Sequence, residues 1–263
     1  MTVPAARNDP KLSRFPLRRL RLSMADGTVS VVLPRGATWM RREAMAAPLD
    51  EPPYWADVWP AAVAIARWLS RRRNLLGLRV LDLGCGLGVP GIAAARCGAE
   101  VTFADRQPDA LAFAEWNAKH QSPPRQKLLM EPRGVNAPMV RCVVHDWHAA
   151  TLPGTFDLIC LADVSYRPVH HAPLLRHLRQ CLADGGMCVH ADPERRESDG
   201  FLVQLRREFA TREELVETHF EETRRQVRMT FVARNPKVLE QWHEVRRPHA
   251  TAPTATDEAT RSQ

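Results

Sequence analysis

The sequence predicts an α/β fold, a three-layer sandwich around a seven-stranded, mostly parallel sheet with an antiparallel last strand, extended at the N-terminus by a β-hairpin. Three observations predict it. From Leu78 onward, short apolar runs alternate with helical patterns, as in strands joined by crossover helices. A glycine-rich turn, Gly84-Cys85-Gly86-Leu87-Gly88, stands between the first such run and the helix after it. Near the end, LVETHF and QVRMTFVAR flank the charged turn EETRR and form a closing antiparallel pair.

The elements follow in order. Residues 1–12 carry no periodicity and are expected to fray. FPLRRLRLSM and TVSVVLP lie on either side of Asp26-Gly27, a hairpin turn signal. Residues 36–53 form a connector ending in Pro52-Pro53. Pro60 opens the amphipathic helix AAVAIARWLSRR, since proline in the first turn forfeits no helical hydrogen bond. LRVLDL is a buried strand, VPGIAAARCG a helix, EVTFAD a strand and PDALAFAEWNAKH a helix. The proline-rich stretch 121–139 is a loop or insertion. MVRCVVHDW, FDLICLADV and GMCVHAD are further strands, with the helix PLLRHLRQCLADGG between the last two. This divides the chain into an extension (1–50), a ligand-binding domain (51–235) and a polar tail expected to be disordered (236–263).

Bulk properties exclude several classes. The 263 residues, 44% hydrophobic and 25% charged, suit one soluble domain with a large core. No apolar run approaches the ~20 residues of a membrane span. The first residues lack the apolar stretch of a secretory signal. Six cysteines, none spaced CxxC, sit mostly in apolar surroundings, which suits reduced thiols and a cytoplasmic location. The net charge is +7, and residues 1–50 hold nine Lys/Arg against four Asp/Glu. Such a basic arm can contact nucleic acid or an acidic protein; the leading expectation is a solvated arginine-rich surface, since no aromatic-interleaved RNA-binding motif accompanies it. The histidines show no zinc-type spacing, so no metal is expected.

The chemistry concentrates around the glycine turn. Asp105 closes the following strand, where a carboxylate can accept both ribose hydroxyls of a nucleoside. A dinucleotide site would need glycine where Val89 stands, and would have no use for Asp82 beside a pyrophosphate. Asp82 suits a ligand bearing an ammonium and a sulfonium, which describes S-adenosyl-L-methionine. Asp146 and Trp147 follow the third parallel strand, where a carboxylate can accept from the adenine amino group and an indole can stack on its ring. The alternative for Trp147 is packing under the sheet edge. Tyr54, Trp55 and Trp59 form an aromatic cluster before the core, either a lid over the ligands or a plug against the sheet.

Together, Pro52-Pro53-Tyr54-Trp55-Ala56-Asp57-Val58-Trp59-Pro60, Asp82–Gly88, Asp105, Asp146-Trp147 and Ala162-Asp163-Val164-Ser165-Tyr166 resemble the family-16 branch of the class I methyltransferases. That branch contains protein-lysine methyltransferases acting on translation factors, chaperones and the electron transfer flavoprotein beta subunit. The resemblance runs from Phe15 to Arg234. It implies a Rossmann-like sheet and S-adenosyl-L-methionine as cofactor. It places Trp59, Gly84, Cys85, Gly86, Asp105, Trp147 and Ala162 around the cofactor; Asp82, Gly88 and Asp146 join them from the residue patterns above. It also places Asp163 and Tyr166 at the acceptor mouth and implies a protein lysine as substrate. Insertion 121–139 departs from the branch. A small-molecule amine acceptor, a cofactor-holding module without turnover, and an RNA-methylating variant are the competing expectations. The last lacks the N-P-P-Y-type motif of base aminomethylases.

Overall fold

The computed structural model describes residues 3–36, 52–72, 74–121, 139–220 and 223–244. Most of the 36–53 connector and of the 121–139 insertion, and the end of the tail, lie outside the described residues.

The N-terminus is more ordered than its composition suggests. Helix α1 (Val3–Arg7) precedes the hairpin, and Ala6 and Leu12 are fully buried, so the expectation of a frayed start is corrected. Strands β1 (Leu17–Met24) and β2 (Gly27–Pro34) pair antiparallel around Ala25-Asp26, as the turn signal predicted. Leu12, Leu22 and Val31 share one apolar core with Ile92 and Phe113, which is why the hairpin holds to the rest of the molecule. Asn117 accepts from the Val32 amide (2.8 Å) and donates to its carbonyl (3.0 Å). Gln121 does the same at Ser30 (3.0 and 2.8 Å). Two side-chain amides thus satisfy the outer edge of β2. The basic arm is answered by acids of the main body: Arg14 by Asp109, Lys11 by Glu115 and Arg18 by Asp57.

Helix α2 (Pro60–Ser70) starts on proline and buries Ala61, Ile65 and Leu69 along one stripe. Alternating units follow: β3 (Arg79–Leu83), α3 (Val89–Arg96), β4 (Glu100–Asp105), α4 (Pro108–Lys119), β5 (Val140–Val144), β6 (Phe156–Ala162), α5 (His171–Cys181) and β7 (Leu182–Asp192). Then come α6 (Arg196–Glu208), β8 (Ala210–Phe220), β9 (Thr223–Ala233) and α7 (Pro236–Glu244). The sheet order is β5-β4-β3-β6-β7-β9-β8, with β9 antiparallel to both neighbours and the remaining pairings parallel. The predicted seven-stranded sheet with its antiparallel last strand is therefore present. The order reverses between β3 and β6, and open α/β sheets bind ligands at the carboxyl ends of strands flanking such a point.

Three elements depart from expectation. The α5 pattern was expected to run through Gly186, yet the helix stops at Cys181, because Leu182 is extended and pairs with Phe156. Helix α6 has no counterpart among the sequence-predicted elements. Its apolar Phe201, Leu202 and Leu205 are buried at helical spacing but outnumbered by charges. Residues 236–244 form a helix instead of a disordered tail: Val238 and Leu239 are buried, and Trp242 stacks on Trp68 at 6.5 Å. The Arg72 guanidinium lies 3.5 Å over the Trp68 ring. No helix among the described residues is long and apolar enough to cross a membrane.

Candidate active site

The glycine turn leaves β3 with Gly84 at φ +70°, and its amide donates to Ala104 O at 2.8 Å. A Cβ there would stand 2.6 Å from Trp147 Cζ3 and 2.8 Å from Val164 Cγ1. Only glycine lets the backbone pass beneath the indole. At Gly86 (φ +50°) the amide donates to Asp105 Oδ2 at 2.9 Å, and Gln107 N donates to Asp105 Oδ1 at 2.9 Å. Asp105 is therefore held between two loops, with lone pairs to spare on each oxygen. Burial pushes its carboxyl above the ordinary range, while the two amides and Arg106 pull the other way.

Asp82 and Gly88 do not face the cleft. Along β3, Leu81 and Leu83 enter one core and Val80 the other, so strand alternation sends Asp82 to the Val80 side. There its carboxylate, 1% exposed, accepts from Gly91 N in the first turn of α3 at 2.9 Å. Gly88 packs against Ala114 and Phe103. Asp82 thus shapes the turn from behind instead of standing beside the ligand. Burial raises its pKa from 3.8 to about 8, against the pull of the Gly91 amide and with a push from Asp105. Between those two values the folded state keeps a proton that the unfolded chain has released, so stability falls as pH rises through that window. Asp82→Asn cannot ionise. Its melting temperature is expected to gain on wild type between about pH 5 and about pH 8, and a pH-independent difference in thermal melts would overturn this.

The other sequence-predicted residues meet in one cleft of about 860 Å³, counted to its open mouth. Trp59, Gly84, Cys85, Gly86, Asp105, Asp146, Trp147 and Ala162 line it, as do Asp163 and Tyr166. Burial pushes the Cys85 thiol well up, so it is an apolar wall and not a nucleophile. Asp146 is exposed and accepts from His148 N at 2.8 Å through Oδ1. Histidines back this side in pairs, His145 with His177 (2.8 Å) and His148 with His170 (2.9 Å).

The aromatic cluster divides. Trp55 packs against Phe15 (6.0 Å) and Phe113 (5.8 Å) as a plug, although part of it reaches the cleft. Tyr54 contacts Trp59 (5.9 Å) and Tyr166 (5.7 Å) edge-on, and these rings wall the mouth. The packing expectation thus describes Trp55, while Tyr54 and Trp59 line the cleft.

Asp163 follows β6 with φ +55°, 8% exposed. Both its oxygens are taken by Arg195, Nε to Oδ1 at 2.7 Å and Nη2 to Oδ2 at 2.8 Å. Sequence reasoning missed Arg195, because no local pattern links residues 32 positions apart. Behind this loop Ser165 Oγ hydrogen-bonds His190 Nε2 and Ser198 Oγ, each at 2.8 Å. Burial drives His190 down to about 3, so that imidazole is neutral.

The cleft fits a nucleoside carrying a cationic chain. It presents carboxylate lone pairs at Asp105, an indole at Trp147 and a backbone turn where a side chain on Gly84 has no room. Residues 55–250 match the family model described as a methyltransferase domain. The chain is 34% identical over 157 residues to protein N-lysine methyltransferase METTL21A of Mus musculus, covering 59% of this chain and 68% of that one. It is 32% identical over 114 residues to histone-arginine methyltransferase METTL23 of Homo sapiens, covering 42% and 55%. Its fold resembles that of N-methyltransferase NodS from Bradyrhizobium japonicum WM9 in complex with S-adenosyl-L-homocysteine. There the TM-score is 0.51 at 19% identity, over 75% of this chain and 98% of that one.

Proposed function

Because this chain belongs to the methyltransferase-domain family, we propose that it transfers the methyl group of S-adenosyl-L-methionine to a lysine side-chain amine of a protein. One observation carries this: the glycine turn, Asp105 and Trp147 share a single cleft with Asp163 and Tyr166. The donor supplies an activated methyl group on a sulfonium, so the protein's task is alignment and exclusion of water. Asp105 offers its spare lone pairs to the ribose hydroxyls. Asp146 accepts from the adenine amino group through its open oxygen, and Trp147 covers the adenine. Trp59, Cys85 and Ala162 close the remaining walls. At the mouth, the faces of Tyr54 and Tyr166 attract an incoming ammonium. Once the ammonium has lost its proton to water, Asp163 directs the amine lone pair and offsets the charge that develops on methylation. Six free cysteines support work in a reducing compartment such as the cytoplasm.

The similarity to an arginine methyltransferase raises a guanidinium acceptor as the second reading. A guanidinium is held by a vacant carboxylate fork. At this mouth Asp163 is already in such a fork with Arg195, and Asp57 accepts from Val58 N and pairs with Arg18. This favours the smaller amine. Tritiated donor, the purified protein and lysate from a deletion strain are expected to yield a labelled protein band whose hydrolysate contains methyl-lysine. Label in methylarginine, RNA or small molecules would replace the acceptor, and no label would favour a binding module.

A further inference from the structure

Asp163 holds a left-handed backbone conformation (φ +55°), uncommon outside glycine but one that Asp adopts more readily than most residues. Its amide donates to Ala191 O on β7 at 2.8 Å, fixing the main chain. The side chain is fixed separately, by the two-pronged Arg195 contact at 2.7 and 2.8 Å. Arg195 is itself anchored. Its amide donates to Asp192 Oδ1 at 2.8 Å, and Asp192, fully buried, takes two more hydrogen bonds from Arg228 at 3.1 and 3.2 Å. A chain of alternating charges therefore runs from β9 through the end of β7 to the end of β6. The Asp163 bond keeps the Arg195 guanidinium above its ordinary pKa and fully charged.

The Arg195 side chain is 34% exposed while that of Asp163 is 4% exposed, so the guanidinium stays partly hydrated and the buried carboxylate depends on it for its hydrogen bonds. What a fork geometry adds is orientation, since two parallel hydrogen bonds leave a carboxylate one plane to occupy. We propose that Arg195 is a positioning residue of the acceptor site, fixing the plane of the Asp163 carboxylate at the aromatic mouth so that the acceptor meets it in a single orientation. This rests on the reading of Asp163 as the acceptor-side acid. Arg195 acts only through Asp163 and touches neither donor nor acceptor.

The test is a double-mutant cycle on whichever acceptor fraction the wild type labels. Arg195→Gln is expected to keep S-adenosyl-L-homocysteine affinity by calorimetry, and to lower kcat by about 10-fold with little change in KM. Arg195→Lys keeps the charge but loses the fork, and is expected to recover part of that loss. In an Asp163→Asn background, Arg195→Gln is expected to cost nothing further, because its partner's role is already gone. A merely structural Arg195 would instead give additive losses and no rescue by Lys. Unchanged kcat in Arg195→Gln, or additivity in the cycle, overturns the proposal. Full activity in Asp163→Asn alone overturns the reading of Asp163 and the proposal with it. Label appearing in an acceptor other than lysine overturns only the lysine assignment, and the cycle is then read on that acceptor. If Arg195→Gln fails to fold, Arg195→Lys carries the same cycle, and additivity there overturns the proposal equally.

Discussion

Asp163→Asn is expected to bind S-adenosyl-L-homocysteine as wild type does while turning over at least ~100-fold more slowly, the scale of a group acting on the reacting atoms. The two halves of this expectation come from different parts of the cleft. In the proposed reading, donor binding rests on Asp105, Trp147 and the glycine turn, which line the cleft. Asp105 is bonded to the amides of Gly86 and Gln107 and Trp147 to His170, whereas Asp163 is bonded to Arg195. In the same proposed reading, turnover rests on the Asp163 charge. Asparagine keeps the shape but removes that charge and one arm of the fork to Arg195. Tyr166→Phe should do less, because the ring remains against Tyr54 and only the hydroxyl is lost. Calorimetry with the demethylated product, beside single-turnover labelling, separates the two quantities. A fully active Asp163→Asn would remove the carboxylate from the chemistry and leave the aromatic wall as the acceptor determinant.

Asp105→Ala is expected to weaken product binding by roughly 10- to 150-fold, the ~1.5–3 kcal/mol of hydrogen bonds to a charged group. The loss has two sources. The ribose hydroxyls lose their acceptors, and the amides of Gly86 and Gln107 lose the oxygens that fix them at 2.9 Å. Asp105→Asn separates these, since its single carbonyl oxygen can still accept from one amide. It is expected to fall between wild type and Asp105→Ala. Titration calorimetry checks the order, and a thermal melt confirms that the fold survives. Equal affinity in all three proteins would show that the ligand does not use this carboxylate.

The outline of the fold was open to sequence reasoning because strands and helices bury repeating faces, and repetition is visible one residue at a time. Asp105, the last residue of β4, and Trp147, in the loop after β5, were readable as residues at or beyond strand ends, and both line the cleft. Helix α6 escaped because its buried Phe201, Leu202 and Leu205 are too few among charges. The order at Ala6 and Leu12, and in helix α7, escaped because partners distant in sequence supply the burial. Asp82 was read as an acid beside the cofactor, yet it faces α3 and is not among the residues lining the cleft, because the orientation of a strand residue depends on which helices cover each face. What the amino-acid sequence by itself determined was the order of elements, the glycine turn and the identity of the residues at the strand ends. What only the tertiary structure decided was their pairing: Asp82 with α3, Trp55 apart from Tyr54, and Asp163 with Arg195. The last of these arises where β6 and β7 lie side by side, and register between strands is a property of the packed sheet that no local pattern encodes.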